Sequence, residues 1–310
     1  MINPRYFLNI MGLIPLTFII IAFDQFVFNS NIKDFLAHDS LPGDLLPYFL
    51  FYPHILMGLF SVSNKKSLKE LGSHLGTKKA APLYLGLLSF PFGMEYFMVI
   101  FSIYGSYHLM KQQFGIESLL TKNKGPSQFI SWISIGLLAI FYYFFSFPNS
   151  NLVNSLGGFA GIMEKRLYLI LMPFLFLYAI DCYRRSSNSK SSDGKWYIWL
   201  NFSFILLTVF TFQLGYFFFS YGTPRMIHDL SSFRLYQLYG SKTYEFEYLP
   251  GPAILWVSVT PFLIVFTFMK INSAVLTMTI ILLSFFHFFM ESIIWQSRAS
   301  HYEQVIGGGS

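Results

Sequence analysis

Four histidines lie inside or at the ends of hydrophobic segments: His54 after Phe51-Tyr52-Pro53, His108 after Tyr107, His228 before Asp229, and His287 between Phe286 and Phe288. A neutral imidazole in an apolar medium still needs a partner for each ring nitrogen, so four of them in such surroundings point to convergence on a shared site. The object four imidazoles can share is a metal ion. Because a helix repeats its faces at i and i+4, His108 shares a face with Gln112 and His287 with Glu291. In each pair a polar group able to bind metal, or to hold a ligand through its second nitrogen, sits one turn from an imidazole. Asp229 directly follows His228, and Arg234 is placed to offset a carboxylate in a site that cannot leave charge unpaired.

The expected metal ligands are therefore His54, His108, His228 and His287. Glu291, Asp229 and Arg234 are the catalytic candidates and Gln112 a cofactor-binding one. Each histidine also has a plainer reading: a kink-associated carbonyl partner for His54, an interfacial position for His108, exposure to water for His228, and packing in an aromatic helix for His287. His38, His74 and His301 fall in expected loops and are read as facing solvent. Asp24 and Glu95 lie inside apolar blocks, where a carboxylate is expensive, and are read as further ligands, proton carriers or interhelical partners.

The elements that must position these residues follow from composition. Of 310 residues, 54% are hydrophobic, 20% aromatic and only 12% charged, and the mean hydropathy is +0.50. The apolar residues come in blocks of about 20 or more, the length that crosses a bilayer as a helix. The fold class is all-α, a polytopic helical membrane bundle of about eight transmembrane helices, with spans expected near 6–28, 45–62, 81–110, 127–147, 163–183, 196–221, 251–270 and 272–296. The long 81–110 block would tilt or project beyond the bilayer and carry His108 to the boundary. The stretch 222–250 is more polar, with a helix expected over 224–240 starting at Pro224. It is too polar to face lipid, so it must be buried by other helices or line a wet cavity.

The formal charge of +6 comes from Lys and Arg clustered in short loops, where such residues fix topology, and there is no nucleic-acid signal. The near-balanced loops leave the orientation open. One cysteine, Cys182, excludes an intramolecular disulfide and a thiolate cluster, so any metal takes nitrogen and oxygen ligands. The first block reads as a retained helix rather than a signal peptide. Residues 1–306 read as a single transmembrane domain and 307–310 as a linker or tag remnant. The dense histidine boxes of membrane desaturases, HExxH zinc sites, P-loops, GxGxxG turns and Gly-x-Ser-x-Gly elbows are all missing.

One histidine per helix, on about eight helices, resembles the bacterial Brp/Blh family of β-carotene-cleaving dioxygenases. The residues that carry the likeness are Pro53-His54, Tyr107-His108, His228 with Arg234, and His287 with Glu291. The chain departs from the family after His54, where Ile55-Leu56-Met57 stands in place of Gly-Ala-Leu-Asp, and after His108, where the helix-end Asp pattern is not reproduced. The resemblance implies a multi-histidine non-haem iron site.

Residues and resemblance together lead to the expectation of a membrane-embedded non-haem iron oxygenase or oxidase, mono- or dinuclear. It would act on a lipophilic small molecule with O2, in the bilayer of a bacterial inner membrane. Two alternatives stay open: a haem b protein with His54 and His287 as axial ligands, and a proton- or ion-coupled transporter using the intramembrane His, Asp24 and Glu95.

Overall fold

The computed structural model describes residues 4–36, 54–55, 65–77, 80–89, 93–122, 125–146, 151, 154, 157–243 and 273–294. They form α1 (Pro4–Met11), α2 (Leu13–Phe26), α3 (Asn31–Phe35), α4 (Lys65–His74), α5 (Ala81–Ser89), α6 (Met94–Thr121), α7 (Gln128–Ser146), α8 (Gly157–Asn188), α9 (Ser192–Gln213), α10 (Phe217–Thr243) and α11 (Ser273–Ile294). The protein is all-α, with no strand among the described residues. Two stretches are long and apolar enough to cross a membrane, Pro4–Phe26 and Ser192–Gln213, and Gln128–Tyr143 and Leu282–Ile293 are shorter apolar helices. The expected spans at 251–270 and, apart from His54 and Ile55, at 45–62 lie outside the described residues, as do His38 and His301.

Several expected elements differ in their bounds, two of them for a clear local reason. The 81–110 block is two helices, α5 and α6, and Gly93 before α6 has φ +106°, outside helical space. His108 consequently sits in the middle of α6, not at its end. The 196–221 block stops at Gln213, because Gly215 turns left-handed at φ +73° and the Tyr216 N–H reaches back to the Thr211 carbonyl at 2.8 Å. Finally, α10 begins before Pro224 and carries that proline inside it.

The chain divides into two compact units, whose boundaries fall within α6 after Phe101 and within α10 after His228. In the first unit, α11 packs on α4 and α5 around Leu71, Ala80, Phe289, Met290 and Ile293. Gly86 makes the close approach to α5 possible: a Cβ there would stand 2.7 Å from the Phe285 ring. In the second unit, α9 packs against α1, α2, α7 and α8. Ser191 starts α9 by accepting the Gly194 N–H at 3.1 Å.

On α2 the two faces are inverted relative to a water-soluble helix. Leu16, Ile19, Phe23 and Phe26 are exposed, whereas Thr17 and Asp24 share the buried stripe with Ile14 and Ile21. The carboxylate of Asp24 is the anchor for the next turn of chain. It accepts the N–H groups of Ile32 at 2.8 Å and Lys33 at 3.0 Å at the start of α3, and the Tyr216 hydroxyl at 2.8 Å. Of the roles considered for Asp24, the geometry gives it that of an interelement partner.

Candidate metal centre

The first unit brings three donor atoms together from two described segments. His54 Nε2 lies 2.9 Å from His287 Nε2; Glu291 Oε1 lies 3.4 Å from His287 Nε2 and 3.9 Å from His54 Nε2. All three side chains are buried. Three points with these separations have a common equidistant point inside their triangle, at about 2.0 Å from each, which matches metal–nitrogen and metal–carboxylate bond lengths of about 2.0–2.2 Å. The three atoms, all within 4.8 Å of one another, are a donor set suited to one ion.

The helices explain the convergence. On α11, the i, i+4 spacing puts His287 and Glu291 on one face, while Phe285 and Phe289 face the packing with α5. On α10, Asp229, Phe233 and Tyr236 follow at i, i+4 and i+7 and present one face to His54. Asp229 Oδ1 stands 4.0 Å from His54 Nδ1, and the Phe233 and Tyr236 ring centroids lie 6.1 and 6.2 Å from the imidazole. Asp229 thus sits behind the nitrogen of His54 that points away from His287, the position of a carboxylate that orients a metal-binding imidazole. The Tyr236 hydroxyl donates to Glu291 Oε1. Beyond His287 lie the rings of Phe97, Phe101, Phe285 and Phe288, an aromatic wall of tilted and edge-to-face contacts with ring centroids 5.4 to 6.2 Å apart.

The second unit holds the other two histidines. His108 on α6 and His228 on α10 are both buried and meet edge to face, with ring centroids 4.7 Å apart. Gln112 donates its side-chain N–H to the His228 carbonyl at 3.3 Å, so one turn after His108 the two helices are tied by an amide. The buried, polar stretch expected after residue 222 is realised: Thr223, Arg225, His228, Asp229, Ser231 and Ser232 are all buried. Arg234 is half-buried on α10, about 140° around the helix from Asp229.

Two features were not among the sequence-based candidates. Tyr236 carries the described hydrogen bond to Glu291, and its i+7 spacing from Asp229 was the available signal. The other is a polar lattice in the second unit. Glu117, 1% exposed, takes Arg185 on one oxygen and Asn201 at 2.8 Å on the other. Arg185 also holds Asp181 at 2.7 Å, and Tyr197 donates to Gln113 at 2.7 Å. No family model matches this chain, and no curated protein or solved structure does either.

Proposed function

We propose that the protein is a membrane-embedded, non-haem iron oxygenase or oxidase acting on a lipophilic small molecule with O2 as oxidant. The observation that carries this reading is the His54–His287–Glu291 triangle, whose equidistant point lies at a metal-bond length of about 2.0 Å from all three atoms. Two imidazoles and one carboxylate with open positions are the donor set of non-haem iron oxygenases. Iron held there would supply binding and activation of O2. The protein's own residues do the rest: Tyr236 and Asp229 fix the carboxylate and the His54 ring, and the Phe97, Phe101, Phe285 and Phe288 wall accepts apolar substrate and keeps water away. His108 and His228 are proposed as a second donor pair, and iron per chain reports whether one ion or two are bound. Arg234 is proposed to balance carboxylate charge. The resemblance to the Brp/Blh dioxygenases supports O2 as co-substrate.

The membrane part of the proposal, a polytopic bundle in a bacterial inner membrane, is supported by the exposed apolar stripes on α2 and by Leu169, Met172 and Phe176 on α8. The haem alternative is disfavoured by the same triangle. Axial nitrogens on opposite sides of a haem iron stand about 4 Å apart, and those of His54 and His287 stand 2.9 Å apart. The transporter alternative loses Asp24, whose carboxylate is occupied by Ile32, Lys33 and Tyr216.

The test is elemental analysis of detergent-purified protein with an absorption spectrum and O2 uptake in the presence of native lipid extract. Stoichiometric iron without a Soret band, with lipid-dependent O2 uptake, is expected. A protein that takes up no transition metal on reconstitution overturns the reading.

A further inference from the structure

In the second unit, the end where α6, α8 and α9 meet carries a rim of aromatic rings and an excess of cations. We propose that this rim lies at the cytoplasmic membrane interface and binds anionic phospholipid headgroups. The inference rests on the membrane reading above and not on the metal.

Packing places the rim residues at one end. The start of α9 lies directly on the end of α6: a Cβ on Gly194 would be 2.9 Å from Thr121 Cγ2 and 3.0 Å from the Leu120 carbonyl. Only Ser189–Ser191 separate α8 from α9. The Asp181 carboxylate takes the Ser127 backbone N–H, which brings the start of α7 to the same end, and Arg185 ties Glu117 to Asp181. Four cations are exposed there, Lys122, Arg184, Lys190 and Lys195. The acids of this end offset them only in part: Glu117 and Asp181 are held by Arg185, Asp181 also faces Arg184, and with Asp193 three carboxylates stand against five cations among the described residues.

The rings tell the same story. Tyr183 is 66% exposed, Trp196 64%, Phe129 58% and Trp132 54%. Aromatic rings and Lys/Arg together are the composition of a membrane–water boundary; the Lys/Arg count is near balance over the whole chain, but within this unit it is concentrated at this end, and such an excess marks the cytoplasmic side. The rim also grades into apolar surface: Leu169, Met172 and Phe176 are exposed on α8 within the turns preceding Tyr183 and Arg184. A basic surface built for nucleic acid has no reason to continue into such a stripe. Helix length agrees, since 28 residues in α6 and 32 in α8 give about 42 and 48 Å, more than the roughly 30 Å hydrocarbon core, so their ends reach the headgroup layer.

Two measurements test this. Asn188 is exposed beside the rim and the native Cys182 is fully buried, so Asn188→Cys introduces a reporter over a silent background. A membrane-impermeant maleimide should label it in inverted vesicles and not in intact spheroplasts; labelling from the outside overturns the inference. Purified protein in detergent is then titrated with brominated phosphatidylglycerol or phosphatidylcholine and tryptophan quenching followed. Wild type should reach half-quenching at a several-fold lower fraction of phosphatidylglycerol than of phosphatidylcholine. Changing any one of the four cations to Gln should remove part of that preference, and changing all four should bring the two midpoints together. Equal midpoints for the two lipids in wild type overturn it. A chain found in the soluble fraction would defeat the membrane reading itself, whereas a membrane-bound chain labelled from outside defeats only this inference.

Discussion

The Nε2 atoms of His54 and His287, 233 positions apart in the chain, lie 2.9 Å from each other with their rings nearly perpendicular at 78°. Two imidazoles in that pose share either a proton or a metal, and Glu291 Oε1 closing the triangle favours the metal. His54→Ala and His287→Ala should each abolish tight metal binding while the protein still folds. His74→Ala, at the end of α4 and in neither group of converging donors, should retain full metal. Metal per chain after dialysis decides it: wild-type content in either triangle variant removes that residue from the ligand set.

Tyr236 holds Glu291 through its hydroxyl. Tyr236→Phe keeps the ring beside His54 and removes only the donor, so the carboxylate gains freedom at the expense of metal affinity. A loss of about 10-fold is expected, the lower end of what removing a partner of a metal ligand costs. The measurement is a chelator-competition titration, and an unchanged affinity would mean that the hydroxyl does not position the ligand.

The helical class and the candidate residues were legible because burial cost and i, i+4 spacing are local rules: His287 with Glu291 on α11 is read directly from the string. Helix ends were less legible. The stop at Gln213 depends on Gly215 turning left-handed and on Lys33, 181 positions away, donating to the Leu214 carbonyl at 3.1 Å. Asp24 shows the same limit. Its expense in an apolar block was visible, but not that three donors from α3 and Tyr216 meet it. Glu117 went unnoticed because its partners, Arg185 and Asn201, come from two later helices with no spacing to announce them.

Gly86 sits where the Phe285 ring crosses α5, and any Cβ there would stand 2.7 Å from that buried ring. Gly86→Ala must therefore push α11 aside, two residues from His287. A loss of about 1–3 kcal/mol from overpacking is expected, together with weaker metal binding. Thermal unfolding and metal titration should change together; a shift in stability alone would show that α11 rotates back into place.

Asp24→Ala should destabilise the second unit without altering metal content. It strands two N–H groups of α3 and the Tyr216 hydroxyl, and the cost is roughly 3 kcal/mol for loss of a buried, multiply bonded carboxylate. Denaturant unfolding with parallel metal analysis checks it. Loss of metal at unchanged stability would return Asp24 to the list of functional carboxylates.

Two buried carboxylates, Glu291 and Glu117, are expected to answer the same substitution in opposite ways. Glu117 faces a permanent cation, Arg185, so Glu117→Gln leaves that guanidinium with Asp181 alone; destabilisation of about 3 kcal/mol is expected, with metal affinity untouched. Glu291 faces two imidazoles and a phenol, and a metal ion held there would take its negative charge. Glu291→Gln should therefore lower metal affinity by more than the roughly 10–100-fold that losing a ligand's partner costs, while the metal-free protein still folds. Measuring melting temperatures with and without added Fe(II) for both variants separates the roles. If Glu291→Gln destabilises the metal-free protein and keeps wild-type metal affinity, its carboxylate is a structural partner of Tyr236 and the ligand set must be sought without it.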